Sequence, residues 1–133
     1  MPPPLRGISS MATRQVLADL AIAWQAAGGQ PVTIESVGGV DAAQRVQAGE
    51  ALDVVLLASD AIDKLIASGH AMAQSKVDWV RSSTAVAVPA GASLPDIGSE
   101  AALQTAVLAA PSIGYSTGPS GTALLALFQR WGI

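Results

Sequence analysis

The chain contains no cysteine and a single histidine, His70. The first absence excludes disulfides and thiolate chemistry. The second leaves no His/Cys set for a transition metal, so neither a metal site nor a cofactor is expected. Charge is scarce as well: 13% of the 133 residues are Asp, Glu, Lys or Arg, the net charge is −3, and there is no basic run. A nucleic-acid surface is therefore excluded, and a bound anion has to be held by local N–H and hydroxyl dipoles rather than by the overall field. No apolar run approaches the roughly 18 residues of a membrane-spanning helix. The opening Met1-Pro2-Pro3-Pro4 has neither the charged nor the apolar part of a secretory signal. The expectation is a soluble chain, cytoplasmic as it stands or periplasmic if a signal peptide has been removed.

Apolar residues, by contrast, make up half of the chain. A chain of this length can remove roughly two-thirds of its unfolded surface from water. The combination of many apolar and few charged residues suits an α/β domain whose strands are covered on both faces.

Strand, turn and helix alternate along the chain. Leu5–Ile8 reads as a strand, Ser9-Ser10 as a turn, and Met11 onward as a helix of about 16 residues with Leu17, Leu20, Ala21 and Trp24 on one stripe. At such a turn a helix exposes unpaired N–H groups and the positive end of its dipole, so the serines can cap the helix or hold a small anion. Gly28-Gly29 ends the helix, Pro31–Val37 is a second strand, and Gly38-Gly39 leads into a helix over 40–48. Asp53–Leu57 is an unbroken apolar run after its first residue, the pattern of a strand buried on both faces and central in its sheet. Ser59-Asp60 then caps a helix closed by Gly69.

Further on, Trp79–Pro89 reads as a long strand passing between sheets, 99–108 as a helix, and Pro111–Tyr115 as a strand. The turn Ser116–Thr122 opens a final helix, with Pro119 at its first position and Leu124, Leu125, Leu127, Phe128 and Trp131 apolar. Alternation of this kind predicts a parallel-rich, three-layer α/β sheet, with ligands bound at the carboxyl ends of the strands. Trp24 and Trp131 read as core and His70 as a solvent-facing loop residue. Asp53 and Asp60 fall at opposite ends of a strand, which argues against a catalytic carboxylate pair. With no nucleophile–base or acid–base constellation, the residues read as a receptor and not as an enzyme.

The strand with Ser9-Ser10-Met11, the Val37-Gly38-Gly39 turn, the run Leu52–Asp60 and the late Gly118-Pro119-Ser120-Gly121 turn come in an order and spacing that resembles the molybdate-type substrate-binding proteins of ABC transporters. The resemblance covers nearly the whole chain and implies a type 2 periplasmic-binding-protein fold. Residues 1–82 would form the N-terminal part of lobe one, and 83–133 a partial lobe two. It further implies a receptor that closes on a small oxyanion and presents it to an ABC permease. Carried over onto this chain, Ser9, Ser10, Gly38, Gly39, Ser59, Ser116, Ser120 and Gly121 are the ligand-binding positions. The chain departs from the pattern in its second turn, where Gly39-Val40 lacks the serine of the molybdate binders and Ser36 is the nearest hydroxyl. It is also shorter than the family, so a truncated second lobe is expected, lacking the family's tyrosine. Apolar surface on 124–131 should then be left open and drive dimerisation. A second class with this architecture is the effector-binding domain of LysR-type transcription regulators. Such a protein would carry a helix-turn-helix ahead of the first strand.

Overall fold

The computed structural model describes residues 2–133. The chain divides into two compact units, Met1–Arg81 and Ser82–Ile133. The first is built on a parallel sheet of β1 (Leu5–Ser10), β2 (Val32–Val37) and β3 (Val54–Leu56), in the order β2-β1-β3. Leu5 pairs with Val32 and Ser10 with Val37, while Gly7 to Ser9 pair with Val54 to Leu56. The strands are joined through α1 (Arg14–Ala26), preceded by a 3-10 turn at Met11–Thr13, and α2 (Gly39–Gln47); α3 (Ser59–Ala67) follows β3.

Alternation along β1 divides the unit into layers. Ile8 is fully buried and joins Ala42 and Val46 of α2 and Leu65 of α3 in the core, with Val37, Leu52, Val55, Leu57 and Ala71 packed around it. Gly7 and Ser9 point to the opposite face, the one α1 covers. At Gly7 a side chain would press on Val54 and Ile34, whose own side chains fill the space above it. Three helices end where glycine takes a positive φ that other residues avoid, at Gly28, Gly49 and Gly69.

The structure departs from the sequence reading in several places. β1, not the 53–57 run, is the central strand: its two crossovers lay β2 and β3 on either side of it, and Val54 is left partly exposed at an edge. Of the α1 stripe only Leu17 is buried, whereas Leu20 and Trp24 are 48% and 54% exposed. Trp24 packs on the turn that follows its own helix. Its indole N–H donates to the Gln30 carbonyl at 2.9 Å, and a Cβ at Gly29 would run into its ring. The expected cap of α3 is also displaced by one residue: Ala58 holds the capping position, Ser59 is the first helical residue, and no side chain caps the helix. His70 is exposed, its Nδ1 2.8 Å from the Ser68 hydroxyl.

The second unit contains α4 (Glu100–Ala109), capped by the Ser99 hydroxyl accepting from Ala102 N–H at 3.1 Å, and α5 (Pro119–Trp131), with Pro119 at its first position. Glu100 joins the two helices, accepting from Arg130 at 2.7 Å and from the Trp131 indole at 2.8 Å. These donors, the indole foremost, hold the Glu100 carboxyl below its ordinary pKa. Neither Trp79–Pro89 nor Pro111–Tyr115 forms a strand among the described residues. Their alternation is intact, but strand structure is a hydrogen-bonded pairing, and neither segment has a ladder partner. On α5, Leu125 is exposed while Leu124, Leu127, Phe128 and Trp131 are half-buried.

Candidate functional site

The carboxyl ends of all three strands lie side by side, since Ser10 pairs with Val37 and Ser9 with Leu56. Each strand leads directly into a helical turn, so three helical N-termini meet at one rim. Gly38 and Ala58 occupy the capping positions of α2 and α3, and neither helix has a side-chain cap. First-turn N–H groups without caps are the donors an anion uses.

The two predicted serines behave differently. Ser9 is fully buried, with its Oγ 3.0 Å from the Ser10 carbonyl and 2.7 Å from Ser36 Oγ. It organises the rim and is not itself open to a ligand. When Ser9 donates to the Ser10 carbonyl, Ser36 donates to Ser9; when Ser9 donates to Ser36, the Ser36 proton is free to turn outward. Ser10 is half-buried, occupies the capping position of the 3-10 turn, and caps no N–H there. A Cβ on Gly39 would lie 3.7 Å from Ser10 Cβ, so this hydroxyl stands beside the start of α2. Ser10, Gly38 and Gly39 therefore come together, and Ser59 is exposed at the start of α3 on the same rim.

In the second unit, Ser116 Oγ and Ser120 Oγ are 2.8 Å apart at the first turn of α5. Gly121 is buried there, because a side chain at this position would overlap the Ser116 carbonyl. The turn is thus closed by its own hydroxyls and by a residue that has to be glycine.

The structure adds Ser36 to the predicted set. Its signal was the register: the alternation Val32, Ile34, Ser36 places it opposite Ser9 on the neighbouring strand.

Arg45 is the centre of an ion-pair network. Arg45 binds both Glu35 oxygens at 2.9 Å and both Glu50 oxygens at 2.7 and 2.8 Å, and Arg6 reaches Glu50 at 3.5 Å. Hydrogen bonds from Arg45 lower the pKa of both glutamates, and theirs raise that of Arg45. Because both carboxyls have lowered pKa values when folded, their stabilising effect is complete above the unfolded value of about 4.3 and is lost as the pH falls through the folded values. The melting temperature should therefore decline below about pH 4.3, and Arg45→Gln should flatten that decline when melting is followed across an acid series. Asp53 is structural, accepting from Arg6 N–H at 2.8 Å while its own N–H returns a 2.8 Å bond to the Arg6 carbonyl. Among the described residues no acidic or histidine cluster suits a metal ion, and no helix is long and apolar enough to cross a membrane.

An open parallel sheet whose helical N-termini converge on one rim defines an α/β unit for binding small ligands. The family comparison names the class: the model for bacterial extracellular solute-binding proteins matches residues 5–133, and the chain belongs to that family. A protein from a Pseudomonas species named aconitate isomerase is 41% identical to it over 80 residues, which cover 60% of this chain and 30% of that protein. No solved structure matches the chain. The relative's name corrects the expectation that the chain is not an enzyme. Proton transfer by one carboxylate on a bound ligand needs no nucleophile–base pair, and Asp41 and Asp60 lie in the first turns of α2 and α3.

Proposed function

We propose that this chain captures a small anionic solute, a carboxylate or other oxyanion, at the carboxyl rim of the Met1–Arg81 sheet. It would do so as the receptor of an ABC-type importer that delivers to a membrane permease from the periplasm. The observation that carries this reading is the Ser10 hydroxyl beside the uncapped start of α2 at Gly38-Gly39. In this proposal Ser10 and the first N–H groups of α2 bind the anion. Ser9 and Ser36 hold the rim in shape, and Ser59 supplies a further donor. Units Met1–Arg81 and Ser82–Ile133 correspond to lobe one and part of lobe two, and the Ser116, Ser120 and Gly121 turn is a second anion-contacting turn. Self-association through the exposed side of α5 belongs to the same proposal and is read by sedimentation.

A second reading is favoured by the relative named aconitate isomerase: the bound anion is a small polycarboxylate, which the protein isomerises. Both readings use the same rim, and Gly39-Val40 suits a carboxylate better than a tetrahedral oxyanion. With one hydroxyl fewer in the second turn, more oxygens of a tetrahedral anion would go unpaired.

The test is calorimetric titration with molybdate, sulfate, phosphate, acetate, succinate, citrate and aconitate, with aconitate also followed by proton NMR for turnover. Binding of any of these anions is expected, with Ser10→Ala weakening it roughly 5- to 100-fold. Interconversion of aconitate isomers would select the second reading. Unchanged affinity in Ser10→Ala would move the site away from this rim.

A further inference from the structure

The segment Trp79–Pro89 has the composition of a strand and the surroundings of a loop. Val80, Thr84, Val86 and Val88 are β-branched and fall on one face of an extended chain, and Arg81 is the only charge in the segment. It contains no glycine, and its one proline is its last residue. Yet every residue from Trp79 to Ala87 is exposed, and no N–H or carbonyl of Val77–Val88 makes a backbone hydrogen bond among the described residues. A row of open donors and acceptors, on a backbone whose side chains favour pleated pairing, is the feature that recruits a further strand.

The segment's own sequence decides which strand it takes. In a closed two-fold pair the same residues meet themselves, so the segment has to be complementary to its own reverse. Full antiparallel overlap of 79–89 with a copy of itself places Thr84 on the two-fold axis. Val80 then lies opposite Val88 of the second copy, Ser82 opposite Val86, and Thr84 opposite Thr84. On the other face Trp79 meets Pro89, Ser83 meets Ala85, and Arg81 meets Ala87, so no like charges stand opposite each other. A parallel, in-register pair would instead set Arg81 directly beside its copy. The antiparallel register also accommodates Pro89. When the even-numbered residues form the hydrogen-bonded pairs, Pro89 stands where its missing N–H costs no bond.

We infer that Trp79–Pro89 is a self-recognition strand, through which two copies of this chain form a continuous antiparallel ladder with Thr84 on its axis. Pairing covers the exposed Trp79, Val80 and Val86 and gives the open backbone groups their partners. The residues are other than those of the carboxyl rim and of α5, so the anion titrations do not bear on this surface.

The experiment combines sedimentation with cross-linking. The chain has no cysteine, so each cysteine variant carries a single thiol. The unaltered chain is expected to sediment as a dimer. Val86→Pro removes an N–H from a hydrogen-bonded pair and is expected to raise the dissociation constant roughly 10- to 100-fold. Because Val86 is exposed in the single chain, this variant should keep the unaltered circular dichroism. Thr84→Cys brings two thiols together at a Cα separation of about 5.5 Å, within the range a disulfide spans. With oxidised glutathione it should cross-link roughly 10-fold faster than Ser82→Cys or the exposed Ser93→Cys, while Ser82→Cys mixed with Val86→Cys should link the two variants to each other. A monomer at the highest concentration reached, equal rates for Thr84→Cys, Ser82→Cys and Ser93→Cys, or a dimer that Val86→Pro leaves intact would each overturn the inference.

Discussion

Ile8→Ala is expected to lower the stability of the Met1–Arg81 unit by about 2–5 kcal/mol, enough to unfold much of it at room temperature. Ile8 is the central side chain of a small core: fully buried on the middle strand, it touches the layer formed by Ala42, Val46 and Leu65. The five buried apolar residues of this unit include no other from β1. Truncation would therefore leave a cavity between the sheet and both α2 and α3, and a unit with so little buried apolar surface has little stability in reserve. Urea denaturation followed by far-ultraviolet circular dichroism measures the loss. A change below about 1 kcal/mol would mean that α2 and α3 are held to the sheet by something other than this core.

Gly121→Ala should have the next largest effect, and it acts on the second unit. The added methyl would meet the Ser116 carbonyl, a backbone group that cannot swing aside as a side-chain tip can. Either the Ser116–Ser120 hydroxyl contact opens or the first turn of α5 unwinds. Forcing one methyl into filled space costs about 1–3 kcal/mol, and proteolysis should cut more readily near residues 116–121. Ala102→Gly, a change inside α4 away from this turn, serves as the comparison. If Gly121→Ala melts like the unaltered chain, the tight packing of the turn is refuted.

The helices were legible because their signals are local. Gly28, Gly49 and Gly69 take the positive φ that stops a helix, Ser99 caps α4, and Pro119 begins α5, so each boundary is written within a few residues of itself. The strands were only half legible. β1, β2 and β3 could be read because each apolar segment finds a partner in the sheet. Trp79–Pro89 and Pro111–Tyr115 alternate and pair with nothing in their own chain, a property of the fold that no window of sequence contains. Trp24 was misread for a related reason: its place on the apolar stripe says that it seeks cover, not that the sheet provides it, and the Gly29-Gln30 turn lay closer.

The candidate site was legible in position and less so in detail. Ser10, Gly38 and Gly39 fall together because parallel strands deliver their carboxyl ends to one rim. The burial of Ser9 and the part played by Ser36 depend on register across two strands, which becomes visible only once the pairing is known.

The central claim is that a small anion binds at the carboxyl rim of this sheet, and the most direct measurement is a nitrogen–proton correlation spectrum of the labelled chain titrated with citrate. Saturable shifts are expected, concentrated at Ser10–Ala12 and Gly39–Asp41. Shifts confined to other residues, or none at saturating citrate and molybdate alike, would contradict it.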